Sequence, residues 1–80
     1  MTALRDDNPP PTECGKEFTA KSSGATKSAA QSNNQSKAND LCKRLEKGCD
    51  RAFEVPGSAT SETKNGLVIY KAKYVCAPEP

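Results

Sequence analysis

The chain has 80 residues, of which 34% are hydrophobic and 5% aromatic, and its formal net charge is +2. A chain of this length forms one domain, and so few apolar residues give it a small core that needs a staple or a partner. The near-neutral charge argues against a strong electrostatic footprint for nucleic acid or anionic membranes, and no apolar run reaches the roughly 20 residues that span a bilayer.

Residues 1–12 are polar and end in consecutive prolines. Proline lacks the N–H that a β ladder or a helix interior requires, so this segment is predicted as a flexible tail. Residues 78–80 are predicted as a flexible C-terminus for the same reason. The compact domain is therefore expected to occupy residues 13–77. The N-terminus has no apolar core of the kind that marks a signal peptide.

The first predicted strand covers residues 13–20, where Cys14, Phe18 and Ala20 share one parity. The small and polar residues of 21–24 then predict a turn. This turn leads into the longest element of the chain.

Residues 25–48 are predicted to form one long helix. Steps of three and four residues place a thin apolar stripe on one face, with Cys42 beside it. The stripe consists of Ala30, Asn34, Ala38, Leu41 and Leu45. Ser28 is placed to begin a capping box, and Gly48 suits the position just past a helix end. The alternative is a polar loop over residues 22–36 followed by a short helix over 37–47, because Asn and Ser are unfavourable in a helix interior.

The second predicted strand covers residues 49–55 and stops at Pro56. Its parity places Phe53 on the same face as Cys49, which is the face predicted to meet the helix. A mobile polar loop is expected over residues 58–64.

Asn65-Gly66 is the strongest turn signal in the chain, since both residues tolerate positive φ. It opens the third predicted strand, residues 67–76, which is rich in Val, Ile and Tyr. The order β-α-β-β predicts an α+β fold, with one long helix packed on a three-stranded sheet.

An even number of cysteines in a small chain with few apolar residues is typical of a disulfide framework in an oxidising compartment. The cysteines are Cys14, Cys42, Cys49 and Cys76. The predicted order of elements brings them all to one end of the fold. No two of them have the C-x-x-C spacing and the chain has no His, so a zinc site is disfavoured and no cofactor is predicted.

The three ways of pairing these cysteines are not equivalent. A Cys42–Cys49 disulfide would close only a short loop, and a Cys49–Cys76 disulfide would join neighbouring strands, where the geometry is harder to meet. The preferred connectivity is Cys14–Cys49 with Cys42–Cys76.

Function is less constrained than fold. Without His there is no His-based acid–base or triad chemistry, and no phosphate-binding glycine motif occurs. The sequence therefore favours a non-enzymatic binding or accessory domain that is periplasmic or secreted. A cytosolic protein with free thiols is the alternative that the lack of a leader keeps open.

The last predicted strand supplies the candidate contact surface for a protein partner or a second copy of the chain. One of its faces consists of Leu67, Ile69, Lys71, Lys73 and Val75. Aliphatic side chains in a row on a solvent-facing strand often mark an interface. The alternatives are that the N-terminal tail covers them or that they are scattered surface hydrophobics. If the sheet is flipped, Tyr70 and Tyr74 are exposed instead, and aromatic rings between lysines would suit single-stranded nucleic acid, although the charge disfavours that partner.

Overall fold

A central strand organises the sheet. The computed structural model describes residues 11–45, Cys49 and residues 51–77. Its elements are β1 (Glu17–Gly24), α1 (Lys27–Lys43), β2 (Arg51–Glu54), β3 (Thr60–Lys64) and β4 (Leu67–Ala77). β4 pairs antiparallel with β1 along one side. Its other side is shared by β2, opposite its C-terminal half, and β3, opposite its N-terminal half.

The α+β class is confirmed, because one helix lies on an antiparallel sheet in the described part of the chain. The sheet has four strands where three were predicted. The additional strand is β3, which lies within residues 58–64 and replaces the predicted mobile loop. The predicted flexibility of residues 1–10 and 78–80 falls outside the described residues.

β2 and β3 are two parts of one interrupted strand. Between them the chain leaves the sheet at Pro56, which has no N–H to donate, and turns back at Gly57, whose φ is +79°. Ser58 closes the gap, because the N–H of Lys73 donates to its Oγ at 3.1 Å. The Asn65-Gly66 turn is present, with φ of 52° and 80°, and it joins β3 to β4 as a two-residue hairpin.

One long helix is present, rather than a loop and a short helix. It begins earlier than predicted, since the N-cap is Thr26 and not Ser28. The extended backbone of Thr26 lets its Oγ1 accept a hydrogen bond from the N–H of Ala29 at 3.1 Å. Gly24 makes the sharp entry into the helix possible, because a Cβ at this position would lie 2.6 Å from the backbone nitrogen of Ala30. The helix ends at Lys43, with Arg44 as its C-cap, so its predicted continuation to residue 48 is wrong. Gly48 itself lies outside the described residues.

The core is built from small residues, tyrosines and cysteines. Phe18 and Tyr74 pack with ring centroids 6.0 Å apart, and Leu41 and Leu45 are partly buried at its margin. The fully or nearly fully buried apolar residues are Phe18, Ala20, Ala30, Ala38, Cys42, Cys49, Ala52, Tyr70, Ala72, Tyr74 and Cys76.

The predicted face of β2 is wrong. Ala52 lies against the helix and is 2% exposed, whereas Phe53 faces away from it and is 39% exposed. The physical reason is the close approach of α1, whose side chains hydrogen-bond the backbone of Ala52 directly. Only a small side chain fits at that distance, so steric fit overrides the greater hydrophobicity of Phe53.

Candidate functional site

All four cysteines are paired, and they lie at one end of the fold. Cys14 bonds to Cys49 with a Cα–Cα distance of 5.9 Å, and Cys42 bonds to Cys76 with a distance of 5.4 Å. This is the connectivity that the sequence favoured. The second disulfide ties α1 to the central strand β4, and both of its cysteines are fully buried. No group of residues in the described ranges has the composition and geometry of a metal site.

The buried face of the helix is polar at its centre. Asn34 is fully buried, and its Nδ2 donates to the carbonyl of Ala20 at 3.0 Å and to the hydroxyl of Tyr74 at 3.1 Å. Its Oδ1 accepts from the hydroxyl of Ser22 at 3.0 Å. Every polar atom of this side chain therefore has a partner, as burial requires.

The carboxylate of Glu54 lies beside the buried hydrogen bonds of Asn34. The hydroxyl of Tyr70 donates to Glu54 Oε1 at 2.8 Å. Burial, together with the Glu54 carboxylate, raises the pKa of Tyr70 to about 12. Burial and Glu54 also raise the pKa of Tyr74 to about 12, although its hydrogen bond with Asn34 acts in the opposite direction.

These pKa values predict alkaline unfolding. The pKa of each folded tyrosine lies above its ordinary value of 10.0, so the stability it contributes is complete below pH 10 and is lost as the pH rises towards 12. We expect the melting temperature to fall across this range. The chain has two Tyr and no Trp, so tyrosinate absorbance reports these two groups alone. A tyrosinate titration centred near pH 10, before any unfolding, would contradict the prediction.

The two flanks of the helix cover the two outer strands. On one flank Gln35 Nε2 donates to the carbonyl of Ala52 at 2.8 Å, and Asn39 Oδ1 accepts from the N–H of Ala52 at 2.8 Å. On the other flank Asn33 Nδ2 donates to the Ser23 carbonyl at 3.0 Å. The polar middle of α1, unfavourable for a helix by propensity, thus satisfies backbone groups at edges that would otherwise be open.

On the opposite face of the sheet no helix from the described part of the chain is packed, and this face carries the predicted contact residues. Alternation along β4 brings Leu67, Ile69, Lys71, Lys73 and Val75 to this open face. Leu67 is 48% exposed, both lysines are exposed, and the other two are half-buried. Along β4 the open face is thus aliphatic at both ends and cationic in the middle.

The other strands add residues to the open face that were missed from the sequence. Phe53 lies opposite Val75, and the guanidinium of Arg51 sits 5.8 Å from the centre of its ring. Lys21 lies opposite Lys71 on β1. It was missed because Ser22 and Ser23 suggested a turn, although the period-two alternation from Phe18 continues through the buried Ser22.

The flipped arrangement of the sheet is wrong. Tyr70 is 2% exposed and Tyr74 is fully buried, both beneath the helix, so neither ring can stack on a nucleic-acid base. A small groove does lie between the start of α1 and β3, lined by Lys27, Gln31 and Thr60 among others. Its volume of about 160 Å³ is below the roughly 300–1,000 Å³ of typical small-molecule sites.

No protein-family model, no curated protein and no solved structure matches this chain. No helix in the described ranges combines the length and the hydrophobicity needed to cross a membrane.

Proposed function

We propose that this chain is a non-enzymatic binding or accessory domain that contacts a protein partner through the open face of its sheet. The observation that carries the proposal is the position of Phe53 and Leu67, the two exposed large hydrophobic side chains among the described residues. They lie at opposite ends of one face, beside Val75 and Ile69 respectively. Exposed apolar groups collected on one face of a small domain favour an interface over scattered surface hydrophobics.

The proposed compartment is extracytoplasmic, either the periplasm or the exterior of the cell. Two disulfides in a domain with so small a core support this assignment, because such bonds persist in oxidising environments and are rare in the cytosol. Counting thiols on unreduced, denatured protein from its native source tests this assignment. Four free thiols would refute it.

The open face is tested by substituting Ile69 with Lys. Ile69 is half-buried on this face and lies opposite Glu62. Because the Glu62 carboxylate can form an ion pair with the introduced lysine, we expect the fold to be retained. Replacing Val75 by the photoreactive residue benzoylphenylalanine should give one specific cross-linked product in the native source. Ile69→Lys in the same chain should reduce this product about tenfold, as expected when an apolar contact of roughly 1–2 kcal/mol is removed.

The matched control carries the photoreactive residue at Asp40, which is exposed on the outer side of α1. It should give no specific product. A chain that is monomeric at high concentration and gives no product from position Val75 would refute the proposed function. A product containing only this chain would identify the partner as a second copy.

A further inference from the structure

Three lysines meet at the centre of the open face. Lys21 on β1 lies directly opposite Lys71 on β4, and Lys73 is the next β4 residue on the same face. Directly opposite residues in an antiparallel pair have Cβ atoms about 5 Å apart, and diagonal neighbours about 7–8 Å. The three ammonium groups are therefore held within reach of one another.

No acidic residue lies directly opposite these lysines within the described residues. None of the three lysines forms an ion pair there. The other residues opposite them in the sheet are Thr60 and Thr19, which carry no charge. The acidic residues of the face, Glu17 and Glu62, lie opposite Val75 and Ile69. They are diagonal neighbours of Lys73 and Lys71, form no ion pair with them, and offset only part of the positive charge. Like charges placed directly opposite destabilise a sheet, so the free protein carries a cost here.

Protection of a sheet edge does not explain these lysines. Exposed edge strands often carry lysine because it prevents pairing with other chains. Lys71 and Lys73, however, lie on β4, which has a paired strand on each side. The repulsion is relieved when negative charge arrives from outside the domain.

We infer that the partner of the open face is an acidic protein surface, whose carboxylates meet Lys21, Lys71 and Lys73 and whose apolar groups meet the two ends of the face. This inference rests on the proposed function. A nucleic acid or a sulfated polysaccharide fits less well, since such a polyanion needs a continuous basic track. Here Lys21, Lys71 and Lys73 are separated from the other basic residues of the face, Arg51 and Lys64. Val75 with Glu17 interrupts the track on one side, and Ile69 with Glu62 interrupts it on the other.

The test uses defined probes in place of the unidentified partner. A random copolymer of glutamate and tyrosine supplies carboxylates with apolar groups, polyglutamate supplies carboxylates alone, and heparin supplies a polyanion of another class. We expect NMR shifts on titration with the copolymer to map to Lys71, Lys73, Val75 and Phe53. Binding should weaken as salt is added, since these charges are exposed.

The decisive variant combines Lys71→Gln with Lys73→Gln. It should weaken copolymer binding about tenfold, as expected for losing two charge contacts at an interface. It should also raise the melting temperature, because the repulsion with Lys21 is removed. The control, Lys27→Gln with Lys43→Gln, removes the same charge from exposed positions on α1 and should change binding less than about twofold.

Three results would overturn the inference. The first is that the control variant weakens copolymer binding as much as the Lys71→Gln, Lys73→Gln variant does. The second is that heparin binds the same residues more tightly than the copolymer does, and the third is that the copolymer binds away from the open face. If one of these occurs while the photoreactive residue at Val75 still captures a partner, the proposed function stands and only the acidic character of the partner is wrong. If that capture also fails, both are wrong.

Discussion

Removing the Cys42–Cys76 disulfide should unfold the domain, or leave it barely folded. A disulfide typically contributes about 2–4 kcal/mol by restricting the unfolded chain. Domains are stable by roughly 0.05–0.15 kcal/mol per residue, and a core built mostly of alanine and cysteine belongs near the lower end. Both sulfurs are also fully buried where α1 meets β4, so replacement by alanine leaves a cavity in addition.

The Cys14–Cys49 disulfide provides a matched control. The two disulfides close loops of almost equal length, with sequence separations of 34 for Cys42–Cys76 and 35 for Cys14–Cys49. The free energy of unfolding that is lost through chain entropy is therefore nearly the same when either pair is changed to alanine. Cys14 is exposed, so its removal creates less of a cavity. We expect the Cys42→Ala, Cys76→Ala variant to be less stable than the Cys14→Ala, Cys49→Ala variant by about 1–2 kcal/mol.

Urea unfolding of both double variants, with the unchanged protein in parallel, measures the difference. Equal losses would mean that the Cys42–Cys76 disulfide acts only through the unfolded chain. A melting temperature unaffected by reductant would show that neither disulfide supports the fold.

The disulfide pairing could be predicted from the sequence because the order of the predicted strands and helix strongly limits which cysteines can meet. Once a strand, a helix and two strands follow one another, Cys14, Cys49 and Cys76 must lie near one end of the sheet. β4 was accessible because Val, Ile and Tyr are enriched in it. Both inferences depend on elements whose apolar pattern is dense enough to identify them.

β3 could not be predicted because it lacks such an apolar pattern. Its residues, Thr60–Lys64, are all exposed, so no alternation of buried and exposed positions exists to detect. Its pairing with β4 follows from the Asn65-Gly66 turn, which the sequence did show, and from backbone hydrogen bonds, which leave no pattern in the side chains of β3 itself. Phe53 was assigned to the wrong face because hydrophobicity alone ranks it above Ala52, while the space left beneath α1 decides in favour of Ala52.

The open face was identified only in part. The alternation along β4 placed Lys71 and Lys73 on this face. Their significance depends on Lys21, which is a neighbour in space rather than in sequence. A like-charge contact across strands becomes visible only when the register is known. For the same reason, the role of Asn34 could not be derived from its place in the helical stripe.

Replacing Asn34 with Ala is expected to destabilise the domain by about 3 kcal/mol, because each buried polar group left without a partner costs roughly 1–3 kcal/mol. The variant leaves the Ser22 hydroxyl, the Ala20 carbonyl and the Tyr74 hydroxyl with one partner fewer, and it opens a cavity beneath the helix. The residues it disturbs belong to β1 and β4, so the contact of the helix with the centre of the sheet is weakened as a whole.

Asn33→Ala is the matched control. The two residues are adjacent and chemically identical, but Asn33 is exposed and makes a single bond to the carbonyl of Ser23. Its replacement should cost no more than about 0.5 kcal/mol, as is usual for surface substitutions. A comparable loss in both variants would mean that helix propensity, rather than the buried cluster, sets the cost.

Tyr74→Phe separates the effect of losing the Asn34–Tyr74 hydrogen bond from the effect of opening a cavity. This change removes the hydroxyl that accepts from Asn34 Nδ2 and keeps the ring that packs on Phe18. Because Asn34 and Tyr74 share this bond, the two losses should fail to add in the Asn34→Ala, Tyr74→Phe double variant, with a coupling of about 0.5–3 kcal/mol. Urea unfolding of the four proteins gives this coupling directly. Strict additivity would refute the assigned bond and leave the cavity and the bonds of Asn34 with Ser22 and Ala20 as the causes of the loss at Asn34.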